Sequence, residues 1–172
     1  MAEKKKNEVT LRAIEPEDLD VLYEIENDRD VWDCGPTSVP YSRYVLHKYL
    51  SAAVCDIYAD KELRLIICNA AGESIGILDL VNFEPRHLRA EVGIVLRSDC
   101  RHKGYAASAL SKLKAYCSHT LHLHQLYAIV NNKNQSSIQL FQSSGFQRNG
   151  ILYDWFLEGD KYSDAYFFEY FF

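Results

Sequence analysis

Residues 90–107, Ala90-Glu91-Val92-Gly93-Ile94-Val95-Leu96-Arg97-Ser98-Asp99-Cys100-Arg101-His102-Lys103-Gly104-Tyr105-Ala106-Ala107, restrict the chain more than any other stretch. They read as a buried strand, a short basic turn, and a helix that begins at a glycine followed by small residues. The first N–H groups of a helix have no intrahelical partner and sit at the positive end of its dipole. Small residues at Gly104 and Ala106 let a bulky anion approach that backbone, and Arg101, His102 and Lys103 add charge beside it. The stretch therefore predicts a pyrophosphate-binding turn.

The rest of the chain decides which fold carries that turn. Its 172 residues, 48% of them hydrophobic, suffice for one domain with its own core. Residues 9–172 are taken as that domain and residues 1–8, polar and carrying Lys4 to Lys6, as a flexible tail. A formal net charge of −5 argues against nucleic acid as a partner, and no apolar run is long enough to span a membrane. The N-terminus lacks the apolar core of a signal peptide, and the five scattered cysteines form no Cys-x-x-Cys pair. Reduced thiols and a cytoplasmic location follow as expectations.

In chain order, Val9 to Ile14 reads as a strand. Glu15-Pro16-Glu17-Asp18 opens a helix that runs to about Asn27, burying Leu19, Leu22 and Ile25 or nearby positions. Between Glu15 and Asp33 there are nine carboxylates and one basic residue, Arg29. They suit a solvated helix face, or a negative funnel for a polycationic substrate. A loop at residues 35–40 leads to a second helix from Tyr41 to Val54, with Tyr44, Val45, Leu46 and Tyr49 as its apolar positions. Strands at Leu63–Asn69, Ser74–Phe83 and Arg89–Arg97 follow, joined by a hairpin turn at Ala70–Glu73 and a second turn at Glu84–Leu88. Ala106, Ala109, Leu110, Leu113 and Cys117 recur at helical spacing, so a helix spans Gly104 to His119. Leu126–Val130 is a short apolar strand, and Asn134 caps a helix, with Ile138 and Phe141 inward, that ends at Gly145. Strands Phe146–Phe156 and Tyr162–Phe172 close the chain. The predicted order is β-α-α-β-β-β-α-β-α-β-β, a mixed α/β single domain with a largely antiparallel sheet. A dinucleotide fold fits poorly, because Gly-x-Gly-x-x-Gly is absent and hairpins precede the phosphate turn.

With these elements in place, the chain resembles the GNAT family of acyl-CoA-dependent N-acetyltransferases from Val9 to about Phe168. Arg101-His102-Lys103-Gly104-Tyr105-Ala106 matches the family's Arg/Gln-x-x-Gly-x-Gly/Ala turn. Asn134-Gln135-Ser136-Ser137-Ile138-Gln139-Leu140-Phe141, followed by Gly145-Phe146, is similar to its Asn-x-x-(Ala/Ser) helix ending in Gly-Phe. Val9-Thr10-Leu11-Arg12, Asp79-Leu80-Val81-Asn82 and Arg89-Ala90-Glu91-Val92 look most like the spermidine acetyltransferases, with the branch that acetylates ribosomal-protein N-termini also similar. The resemblance implies acetyl-CoA as co-substrate, with no metal. It implies cofactor contacts from Val95, Leu96, Arg101, His102, Lys103, Gly104, Tyr105, Ala106, Asn134 and Phe141. The acceptor is expected to be a small-molecule amine, with a polyamine such as spermidine first and a protein N-terminus as the alternative. A non-catalytic acyl-CoA-binding module is a further alternative.

Acetyl transfer requires an amine freed of its proton, an alkyl ammonium having a pKa near ~10.4. Candidate bases are Glu91, Asp79, Glu84 and His87. Glu91 lies on the central strand, where the family often keeps a carboxylate. The competing reading is a salt bridge with Arg89 or a neighbouring strand. Asp79, Asn82 and Glu84 are candidates for binding the substrate, Asp79 by holding a second ammonium. A backbone N–H at Val95 or Leu96 is expected to meet the thioester oxygen. Phe141 departs from the family, many of whose members carry tyrosine there as the acid for the leaving thiolate. Three readings stay open: Ser137, Tyr105 or Tyr127 substitutes; a thiol of pKa about 8.5 leaves unaided; or turnover is lost. His119, His122 and His124 lack carboxylate or cysteine partners at ligand spacing and suit a structural role over zinc. The aromatic C-terminus suits core packing first and a homo-oligomer interface second.

Overall fold

The computed structural model describes residues 7–29, 39–52 and 56–172. The expected tail up to residue 6, the loop at 35–38, the second helix's end at 53–54, Asp30, Asp33, Cys34 and Cys55 lie outside the described residues. A seven-stranded sheet has the order β1-β2-β3-β4-β5-β7-β6, in which only β4 and β5 run parallel. Its strands are β1 (Thr10–Ala13), β2 (Leu63–Cys68), β3 (Ser74–Glu84), β4 (Arg89–Leu96), β5 (Gln125–Asn131), β6 (Gln147–Glu158) and β7 (Lys161–Phe171). The described helices are α1 (Leu19–Glu26), α2 (Arg43–Ala52), α3 (Ile57–Asp60), α4 (Tyr105–His119) and α5 (Gln135–Ser143).

Period-two alternation along the strands splits the core into two layers. On β2, Ile67 packs toward one layer, and its neighbours Ile66 and Cys68 toward the other. The larger layer collects Leu110 and Leu113 of α4, Ile138 and Phe141 of α5, and Leu78, Val92, Leu126 and Phe168 of the sheet. The smaller layer holds Leu22 and Ile25 of α1 and Leu46 of α2 against Ile66 and Ile77. Each such fully buried side chain contributes about 1.5–3 kcal/mol of transfer free energy.

The mixed, largely antiparallel architecture is as the sequence predicts, with local differences. The turn α3 between α2 and β2 was not foreseen. Asp56 caps it by accepting from the Tyr58 N–H at 2.9 Å, and Lys61 ends it in a left-handed conformation. A 3-10 turn, Pro16–Asp18, precedes α1, and Asp18 is buried there because both Arg12 guanidinium nitrogens pair with it, at 2.7 and 2.6 Å. On α2, Tyr44 and Val45 prove exposed; Leu46 alone is buried, because α2 turns one narrow stripe to the sheet. Residues 7 and 8, expected within the tail, lie against the phosphate turn and α4. The Asn7 side chain approaches Gly104, and Glu8 sits 3.6 Å from Lys112.

Candidate active site

The site begins with a fork in the sheet. β4 and β5 pair only through Arg89↔Gln125, Ala90↔Leu126 and Glu91↔Tyr127. Beyond that rung β4 stays with β3 as far as Leu96, while β5 stays with β7 as far as Asn131, so the two strands part. Strand parity then decides which amides face the opening. The Arg97 N–H donates to Ile75 O, so every second residue back from it, Val95 and Gly93 included, is committed to β3. Leu96 and Ile94 therefore turn their N–H and C=O groups toward the fork. The amide expected at Val95 or Leu96 narrows to Leu96, with Ile94 beside it. Val95 still borders the opening, but its N–H is spent in the ladder.

α4 begins at the fork's mouth. Gly104 takes φ 81° and His102 φ 59°, left-handed values that swing the chain from the Ser98–Cys100 turn into the helix. No side chain caps the N-terminus of α4, so its first amides are open to the cleft. α5 supplies the opposite wall, and Asn134 caps it by accepting from the Ser137 N–H at 3.0 Å. Together Leu96, Arg101, His102, Gly104, Ala106, Asn134 and Ser137 line a cleft of about 640 Å³, within the range of small-molecule sites. An elongated, phosphate-bearing thioester fits this arrangement: helix amides at one end and an unpaired strand edge at the other.

Some expected contacts are not at this surface. Lys103 points to solvent, and Tyr105 packs against the core. Phe141 is buried, edge-on to Phe146 with centroids 5.1 Å apart and stacked on Phe168 at 6.1 Å. The apolar phenyl gains more from the core than from the cleft wall. The wall is formed instead by Ser136, Gln139, Leu140 and Ser143, which the sequence reading missed. Their spacing of three, four and seven residues marks one helical face, a signal that was legible. Arg101 is held in place, its Nε donating to Leu96 O at 3.0 Å and its Nη2 to Asp28 at 2.8 Å.

The candidate acceptor groups occupy the other face of the sheet. Glu91 accepts from Asn82 Nδ2 at 2.8 Å, and among the described residues it forms no ion pair with Arg89. Asp79 is different: both of its oxygens accept from Arg64, at 2.8 and 3.0 Å, and Arg64 also binds Glu26 at 2.7 Å. Asp79 is therefore part of an ion triad that ties β2 and β3 to α1. Glu84 accepts from the Arg86 N–H at 3.1 Å and organises its own turn. His87 is exposed in that turn. Of the three histidines, His124 packs against the Phe171 ring at 5.6 Å. Among the described residues, no three His, Cys, Asp or Glu side chains gather as a metal site.

A second network pins the far end of the fork. Asn131, buried at the end of β5, donates to Glu158 at 2.7 Å and Ser163 at 3.2 Å, and accepts from the Lys133 N–H at 2.9 Å. Lys133 also pairs with Glu158. Lys133, then Asn131 and Ser163, hold the Glu158 carboxyl down to about 2. The β6–β7 hairpin and the turn that starts α5 are thus fastened to each other.

Residues 8–147 match the model of the acetyltransferase (GNAT) domain. The chain is similar to the spermidine N(1)-acetyltransferase of Escherichia coli K12, 28% identical over 162 residues that cover 91% of this chain and 82% of the relative. It is 26% identical to that of Vibrio cholerae serotype O1, over 92% of this chain and 90% of the relative. Among solved structures, the spermidine N-acetyltransferase of Vibrio cholerae in complex with CoA and spermine superposes with a TM-score of 0.86 at 24% identity, over 95% of each chain, a likeness of fold. A dodecameric structure of the Vibrio cholerae enzyme superposes with a TM-score of 0.81 at 25% identity, over 95% of this chain and 94% of that one.

Proposed function

The chain belongs to the GNAT acetyltransferase family and is an acetyl-CoA-dependent N-acetyltransferase, and on that premise we propose that its acceptor is a primary amine of a polyamine such as spermidine. The observation that carries the reading is the forked sheet, with uncapped α4 amides at its mouth and unpaired β4 amides at its edge. The relatives' activity on spermidine and the chain's net charge of −5 support a cationic acceptor over a peptide.

Acetyl-CoA supplies an activated thioester; the chain does the rest. The α4 amides, Gly104 and Ala106 receive the phosphates, and the α5 face from Asn134 to Leu140 holds the arm. The N–H of Leu96 or Ile94 stabilises the negative charge that develops on the thioester oxygen. Glu91 takes the proton of the acceptor ammonium, so that the amine can attack. With a phenyl ring at position 141, the sulfur leaves as a thiolate of pKa about 8.5 without a dedicated acid, and Ser137 on the cleft wall is a hydroxyl available to assist it. Among the described residues, Cys68, Cys100 and Cys117 are free thiols, which supports a reducing, cytoplasmic setting.

The test is thiol release from acetyl-CoA with spermidine, spermine and an N-terminal ribosomal peptide as competing acceptors. Polyamines are expected to be acetylated fastest, and Glu91→Gln to lower kcat by about 100-fold or more. Faster turnover of the peptide, or none with any polyamine, refutes the acceptor.

A further inference from the structure

Glu91 and Tyr127 form the last rung before the sheet divides. Beside them β3 carries a bulge between Val81 and Glu84, and within it Asn82 adopts φ 51°. A left-handed residue other than glycine is unfavourable, asparagine tolerates it best, and bulges re-aim side chains. Here the re-aimed side chain is the amide that donates to Glu91 Oε2 at 2.8 Å. From the other strand, Tyr127 stacks on Phe167 with centroids 5.3 Å apart, which holds its ring. Paired with Glu91 across the rung, Tyr127 sets its ring on the same face of the sheet as that carboxylate. Burial first, and then the Glu91 charge, push the phenol above its ordinary value, so it stays protonated and able to donate at neutral pH. A neutral donor from β3 is thus bonded to the carboxylate on β4, and a second, from β5, stands beside it across the rung.

We propose that Asn82 and Tyr127 are positioning residues that clamp Glu91 at the base of the fork, in the orientation that accepts the acceptor's proton. The inference rests on Glu91 being the base. In the step it serves, the ammonium N–H bond breaks and its proton passes to the Glu91 carboxylate. The freed nitrogen pair forms the C–N bond, the C–S bond breaks with its electron pair going to sulfur, the nitrogen gives up its second proton to the thiolate or to solvent, and the Glu91 acid returns the first proton to solvent. An unclamped glutamate would have to find this geometry among several rotamers, and the penalty falls on turnover rather than on cofactor binding.

The experiment is a double-mutant cycle on the full chain. Tyr127→Phe keeps the stacked ring and removes the hydroxyl; Asn82→Gly keeps the left-handed backbone and removes the amide. Each is expected to lower kcat with spermidine by about 10-fold, with the KM for acetyl-CoA and its calorimetric affinity unchanged. On the Glu91→Gln background, Tyr127→Phe is expected to lower kcat by less than about twofold further, since it acts through a group already lost. Wild-type kcat in both single variants, full multiplication in the double variant, or a loss of acetyl-CoA affinity in Tyr127→Phe overturns the clamp while the base stands. Wild-type activity in Glu91→Gln overturns the base and the clamp with it.

Discussion

Gly76 shows how one missing methyl group shapes the cofactor edge. A Cβ there would lie 2.5 Å from Val95 O and 2.6 Å from the Leu96 side chain, so an alanine must push β4 away from β3 at the residues that border the cleft. Gly76→Ala is expected to destabilise the fold by about 1–3 kcal/mol and to raise the KM for acetyl-CoA several-fold, measured by thermal melting and initial rates. Phe141 makes the opposite point. Its ring belongs to the aromatic core, and the leaving thiolate is read as needing no acid from that position. Phe141→Tyr should therefore change kcat by less than about threefold near the thiol pKa of ~8.5. A larger gain, growing as the pH falls, would show that an acid had been missing.

At the scale of elements, α1 is fastened at its start by Arg12 and Asp18. Burial pushes the Asp18 carboxyl up, but the Arg12 hydrogen bonds, the Glu15 N–H and the Arg12 charge outweigh it and hold the carboxyl below its ordinary value. The folded form thus releases its proton more readily than the unfolded chain does. The pair's contribution is complete above the unfolded value of about 3.9 and is lost as the pH falls through the lower folded value. Asp18→Asn should cost about 1–2 kcal/mol at pH 7, because it removes the charge that Arg12 pairs with and leaves the part-exposed guanidinium only its bonds to Ala13 O and Ser74 Oγ. Denaturant melts at pH 7 and pH 3 should show the difference between wild type and variant shrinking in acid. α5 relies on a neutral cap instead: Asn134 holds the Ser137 N–H and so aligns the helix face that lines the cleft.

At the scale of the whole molecule, the β6–β7 hairpin leaves several large apolar side chains uncovered. Tyr153 is 75% exposed, Trp155 52%, Leu157 63% and Tyr162 61%, all on or beside the edge strand β6. An exposed apolar edge is an association surface. The chain is accordingly expected to assemble with itself through this hairpin. Light scattering on wild type should give a mass of several chains, and Tyr153→Asp with Trp155→Asp should lower it. A monomeric wild type would refute the expectation.

Sequence alone determined the elements of the cofactor half, because that information is local. A glycine and small residues after a basic turn, and helical spacing from Ala106 to Cys117, act within a few residues of one another. The β-α-α-β-β-β-α-β-α-β-β order follows from periodicity and turn residues alone, apart from α3, whose apolar signal is a single buried isoleucine. Only the tertiary structure decided the rest. Whether β4 pairs with β5 for three rungs or more depends on register between segments distant in the chain, and it is the β3–β4 register, with the Arg97 N–H on Ile75 O, that turns Leu96 rather than Val95 into the fork. Asp79 looked free in the chain until Arg64 and Glu26 met it across two elements. Asn82, Glu91 and Tyr127 come together only because three strands lie side by side. Local propensity reaches one turn or one strand; hydrogen-bond partners and strand register are set by the packed sheet.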